Sequence, residues 1–273
     1  MKRHVILALV ATVAVAACGD LGSDDGAPAT TVPPIDPEQR ILEVRYEGGF
    51  APVELLFSQP PRYTLYGDGR LVYEGPVAAI YPGPLMSNLQ VAEIGDDGMT
   101  QVMAAINVAN LPNIIEETNT DAAEFVADAP TTVITYTDEN GDHIYRVYAL
   151  GITDDDPELN NLLRVVETLD GLAASATSTS DYPVERIQVI VTESFNTDDP
   201  EATIEPWPLK TAPGDVPDFV VDLKCIVLDG PAAAAALPVF ESADQLTFFE
   251  DQGTAYRLTV RPLLEGEPGC RAE

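Results

Sequence analysis

Short runs of alternating apolar and polar residues, punctuated by glycine and proline, dominate this chain. Residues 41–46 (ILEVRY) read as a strand that leads into Gly48, Gly49, Phe50 and a proline-rich loop. Residues 62–66 and 70–74 flank Gly67, Asp68 and Gly69, and this spacing predicts a hairpin, because glycine takes positive φ without a steric penalty. Residues 88–94 form a fourth expected strand. The period then changes, and Met99, Val102, Met103, Ile106 and Ala109 share one face of a helix over 98–110. A second hairpin is expected from 131–137 and 142–150, turning at Asp138, Glu139, Asn140 and Gly141. Residues 154–172 are the clearest helix. Asp156 is its expected N-cap, Pro157 suits its first turn, Gly171 suits its stop, and Leu159, Leu162, Leu163, Val166 and Leu169 form its apolar stripe.

Residues 173–183 are small and polar and read as a linker. A strand over 184–193 follows, then a proline-rich stretch with Trp207, then a strand over 219–228. Residues 231–243 are alanine-rich and expected to be partly helical, with Pro238 interrupting any continuous helix. A third hairpin, 245–250 with 255–261, closes the pattern. Strands come in runs and not in regular alternation with helices, which disfavours a doubly wound parallel sheet. The expected fold is α+β: mostly antiparallel sheets with a few packed helices, in two subdomains, residues 40–173 and 184–273. Both halves run strands, helix, hairpin, a weak sign of duplication, with few residues that align.

The start of the chain is different. Behind Lys2, Arg3 and His4 lies an apolar run of 13 residues, 5–17, broken only by Thr12. A membrane-spanning helix needs about 20 residues, so the run has the length and flanks of a secretory signal. It ends in Val15, Ala16, Ala17 and Cys18. This resembles the lipobox of bacterial lipoproteins, with Val where the pattern has Leu. The resemblance implies removal of residues 1–17 and lipidation of Cys18, which becomes the first residue of the mature chain. The alternative is an ordinary signal cleaved after Ala-x-Ala, leaving a free thiol. Two acyl chains anchor a protein stably where one chain binds marginally. Residues 18–39 are rich in Gly, Pro, Asp, Ser and Thr without a periodic apolar face, the composition of a disordered tether. Such a segment reaches roughly 25 Å. The expected localisation is the extracytoplasmic face of the cell membrane.

Charge narrows the partners. Without Lys2 and Arg3 the chain has 12 Lys and Arg against 45 Asp and Glu, a formal charge of −33. Phosphate backbones repel such a surface, so nucleic acid is excluded as a partner. Anionic lipid headgroups repel it too, which favours a body standing off on its tether. The acids are spread along the whole chain, as on a solvated surface.

Cys225 and Cys270 are the only other cysteines. In an exported protein two cysteines pair, so a structural disulfide is expected, worth about 4 kcal/mol in the chain-entropy model. Candidate chemistry is thin. His143 is the only histidine after residue 4, and no Gly-x-Ser-x-Gly elbow, phosphate loop or dinucleotide fingerprint accompanies it. Asp138, Asn140 and Asp142 have the alternation of a calcium loop, but its sixth position is His143 and its twelfth is Ala149, where that loop requires Gly and Glu. The acids at 154–156 and 198–199 could hold calcium loosely, and a helix cap and a solvated turn explain them as well. No catalytic residue, metal ligand or cofactor is assigned. Tyr63, Tyr66, Tyr73, Tyr145, Tyr148 and Tyr256 fall in expected strands, where propensity alone enriches tyrosine.

Three further stretches carry a resemblance: Glu47-Gly48-Gly49-Phe50, Tyr66-Gly67-Asp68-Gly69-Arg70, and Arg261-Pro262-Leu263-Leu264 running to Cys270. They look like motifs of envelope lipoproteins of high-GC Gram-positive bacteria, which implies an address and no mechanism. The cysteine, helix, strand, cysteine ending is similar to secreted protease inhibitors of the subtilisin-inhibitor type, whose second disulfide has no counterpart here. The expected function is a non-enzymatic binding or assembly module, partnered with an envelope protein or wall component. The alternatives are an inhibitor-like binder of an extracellular protease and a carboxylate-dependent envelope hydrolase.

Overall fold

The hairpin signals build most of the molecule. A computed structural model describes residues 36–111, 126–152, 156–194, 199–220 and 222–270. Cys18, the apolar run, most of the tether, Asp154, Asp155 and Asp198 lie outside them. Twelve strands and four α-helices are present among the described residues, in two mostly antiparallel sheets. The fold is α+β.

The first sheet uses β1 (Arg40–Gly48), β2 (Tyr63–Tyr66), β3 (Arg70–Glu74), β4 (Leu89–Glu93), β5 (Pro130–Asp138), β6 (Gly141–Tyr148) and β7 (Thr179–Asp181) in the order β6-β5-β1-β2-β3-β4-β7. Every pair is antiparallel. The short helix α1 (Val53–Leu56) lies in the loop after β1. Helices α2 (Gly95–Ala109) and α3 (Pro157–Ser175) pack their apolar stripes on one face of the sheet, where Val102, Ile106, Leu162 and Leu169 meet Leu42, Val44, Leu65 and Val147. Asp156 caps α3 as expected, its side chain accepting the Glu158 N–H at 2.8 Å.

The second sheet uses β8 (Arg186–Glu193), β9 (Thr203–Pro206), β10 (Lys224–Asp229), β11 (Thr247–Asp251) and β12 (Thr254–Pro262) in the order β10-β8-β12-β11-β9. The β11/β9 pair is parallel. Helix α4 (Pro231–Ser242) covers one face, with Ala233, Ala236 and Phe240 against Ile187, Val189, Leu258 and Phe249. The other face packs Ile190 and Cys225 near Phe57. The two sheets belong to one compact unit, Ile35–Glu273. The hairpin that follows the helix sits at the sheet edge in the first (β5/β6) and centrally in the second (β11/β12), so the halves do not share a strand order.

Four local expectations are corrected. The linker 173–183 instead completes α3 and supplies β7, which pairs with β4 through Asp181 and Gln90. Gly171 does not stop α3, because Leu172 and Ala173 still pack on the core. The proline-rich stretch before Trp207 holds β9. Pro238 does not interrupt α4. It sits on the exposed face, so the Ala234 carbonyl that loses its N–H donor is turned to water, while the buried alanine face holds the helix to the sheet.

Candidate functional site

Strand register decides which loops share an end of the first sheet. Gly48 pairs with Pro130, Thr131 with Tyr148, and Glu74 with Leu89. The loops 49–62, 75–88 and 149–152 therefore leave the sheet at the same end. The opposite end holds the β2–β3 turn, where Gly67 N–H donates to the Gln39 carbonyl at 2.9 Å and Asp68 N–H to the Pro37 carbonyl at 3.2 Å. The chain thus enters the folded unit at one end of the sheet, and these loops crown the other, about 26 Å away along β1.

The crowning loops carry exposed apolar side chains. Loop 49–62 presents Phe50 at 93% exposure, with Val53 and Leu55. Loop 75–88 presents Val77, Ile80 at 67% and Tyr81 at 71%. Ile152 adds a third point. Together they are seven of the eleven large hydrophobic residues exposed among the described residues. Apolar residues scattered singly over a surface need no explanation, but their concentration at one end does.

Loop 75–88 is the most distinctive. It has no charged residue in a chain that is 22% charged. Residues 76–81 (PVAAIY) are exposed in succession. Both ends of this run are pinned. At its base, Gly75 N–H donates to the Asn88 carbonyl at 2.7 Å, and Asn88 Nδ2 donates to the Pro76 carbonyl at 2.8 Å. A Cβ at 75 would lie 2.5 Å from Gln90 Cγ, so a larger residue there would push the Gln90 side chain aside. Beyond the run, Gly83 and Leu85 bond to Gln245 and Ala243 next to α4, and Met86 enters the core of the second sheet. The sequence pattern offered one signal for this loop, fourteen uncharged residues in an acidic chain, and hydrophobic periodicity alone passes over it.

A second feature is a cleft of about 570 Å³ between the outer face of β1, β5 and β6 and the strands β8 and β12. Four arginines line it, each paired with a carboxylate. Glu43 accepts from Arg40 at 2.7 Å and Arg45 at 2.6 Å, Glu47 from Arg146, and Glu267 from Arg261 at 2.9 Å. Gln188 bridges the floor, donating to the Phe57 carbonyl at 2.6 Å and accepting the Cys270 N–H at 2.8 Å. The cleft is charge-compensated, and each of these glutamates is committed to an arginine.

The residues singled out for chemistry are placed as follows. Cys225 and Cys270 form a disulfide, with Cα atoms 5.7 Å apart, joining β10 to the C-terminal segment. His143 lies on β6, its ring stacked 6.0 Å from Tyr136 and its Nε2 3.1 Å from Asp138 Oδ1, off the axis of a good hydrogen bond. Burial by itself would raise the Asp138 carboxyl, but the His143 ring and the Asn140 amide groups outweigh it and hold it below the ordinary carboxylate range. Asp138, Asn140 and Asp142 form a hairpin turn with internal bonds, Asn140 N–H to Asp138 at 2.7 Å and Thr137 hydroxyl to Asp142 at 2.7 Å. No group of three or more metal-ligating side chains is assembled among the described residues. Tyr63 donates to Asp170 on α3, and burial first, then that bond, push its phenol well above the ordinary range against the opposing Arg62 charge. At neutral pH it is a protonated tie between helix and sheet. Tyr63, Tyr66 and Tyr145 are core residues. No helix among the described residues is long and apolar enough to cross a membrane.

No protein-family model, no curated protein and no solved structure matches this chain.

Proposed function

We propose that this protein is a non-enzymatic binding module, exported and held at the extracytoplasmic face of the membrane by lipid on Cys18. One observation carries the reading: seven of the eleven large hydrophobic residues exposed among the described residues lie on loops that leave the first sheet at the end remote from where the chain enters the fold. A body tethered at one end leaves the other end free to meet a partner. The Cys225–Cys270 bond supports export, since disulfides persist in oxidising compartments. The hydrolase reading would want two converging acids, one of them desolvated and protonated, and the cleft offers glutamates tied to arginines. The inhibitor reading would want its exposed loop stapled by the disulfide. Loop 75–88 is held by hydrogen bonds to Ala243 and Gln245.

The test is radioactive palmitate labelling of cells that express the natural chain or Cys18→Ser. The natural chain takes up label and fractionates with membranes, and Cys18→Ser does neither. An unlabelled natural chain, or one recovered from the cytosol, overturns the anchor.

A further inference from the structure

We infer that the apolar end of the first sheet docks into a partner protein whose receiving face is apolar at its centre and basic at its rim, with residues 76–81 as the inserted segment. The inference rests on the binding-module reading above and adds the chemistry of the partner.

The inserted segment is six consecutive exposed residues of Pro, Val, Ala, Ile and Tyr. It presents no charge that would need desolvating. Because its two ends are pinned, little ordering entropy is lost on insertion, and rigid apolar anchors of this kind dominate interface energies. Ile80 and Tyr81 are the natural anchors, being the most exposed of the segment's large side chains.

The surroundings of the segment set the rim. Glu74 stands at its base and Asp181 lies across from Gln90 on the neighbouring strand. Glu54 on α1 and Asp128 ahead of β5 occupy the same end. Arginines toward this end are already matched, Arg45 by Glu43, Arg62 by Asp170 and Arg146 by Glu47. The collar is therefore acidic on a chain of formal charge −31, and a basic rim is its electrostatic complement.

Two other occupants fit worse. Anionic lipid repels an acidic collar, and the apolar end is the one farther from the chain's entry to the fold. A second copy would bring two acidic collars together, and like charges at an interface are unfavourable.

The experiment places a photoreactive phenylalanine analogue at Ile80 of the full-length lipidated protein, irradiated in native envelopes at about 50 and about 500 mM salt. Ile144 on β6, at the far edge of the first sheet, serves as the control site. The expected result is a protein adduct at position 80, absent at 144, that falls about tenfold at the higher salt. Val77→Asp abolishes it, and Glu74→Gln weakens it at low salt only. Unchanged thermal midpoints show that these exposed substitutions leave the fold intact, and Tyr81→Ser replaces Val77→Asp if the latter does not fold. Purified protein is also floated with phosphatidylglycerol vesicles, and no binding is expected. A lipid adduct, vesicle binding, or an adduct of twice the chain's own mass overturns the partner assignment. An adduct indifferent to salt and to Glu74→Gln overturns the basic rim while leaving the binding reading standing. No adduct at any salt overturns both.

Discussion

Glu267 is 4% exposed, and its carboxylate accepts two bonds from Arg261 and one from the Leu264 N–H at 2.8 Å. Its own carbonyl accepts from Arg186. The Glu267 side chain thus ties residues 263–270 back to β12, alongside the Arg186 bond, the Gln188–Cys270 bond and the disulfide. A buried charge left alone is costly because neither water nor a partner solvates it. Glu267→Ala is expected to lower stability by about 3–5 kcal/mol, measured by urea unfolding. The double replacement Arg261→Met with Glu267→Leu recovers most of that loss, since it removes the unpaired charge as well. Sequence gives no warning of this pair. Arg261 and Glu267 look like two more charged residues near a terminus, and burial alone makes them consequential.

At the scale of elements, hairpins were legible because their turns need particular residues. Gly67, Asp68 and Gly69 join β2 to β3, and Glu139 with Asn140 joins β5 to β6, which Gly141 opens at a positive φ. The helices were legible from period and cap, as at Asp156 and Pro157. The strands β7 and β9 were not. They have three and four residues, all exposed, with no alternation to read. Their existence depends on an open strand edge beside them, β4 in one sheet and β11 in the other. Helix α4 shows the same override, because packing of Ala233, Ala236 and Phe240 outweighs the break that Pro238 favours. Pro238→Ala restores a donor for the Ala234 carbonyl. It is expected to stabilise the protein by about 1–3 kcal/mol, less than the full propensity difference because alanine also frees the unfolded chain. A thermal midpoint that falls would mean the proline contributes packing that the lost hydrogen bond hides.

At the scale of the whole molecule, the disulfide and the C-terminal segment act together. Cys270 is tied to β10 by its sulfur and to Gln188 by its N–H at 2.8 Å. Gln188 in turn holds the Phe57 carbonyl, so one residue joins the second sheet to the loop that carries Phe50. Removing the bridge with Cys225→Ala and Cys270→Ala is expected to cost about 4 kcal/mol in denaturant unfolding, chiefly by freeing a loop that spans 45 positions in the unfolded chain. Reductant added to the natural protein should shift the transition by a similar amount and leave the double variant unmoved. The sequence by itself determined ten of the twelve strands, their turns, the two long helices and the cysteines available to pair, because those follow from neighbours a few residues apart. Only the tertiary structure decided that loops 49–62, 75–88 and 149–152 crown one end of a single sheet. That placement depends on which strands pair and in what register, and each pairing joins residues far apart in the chain whose partners no local pattern encodes.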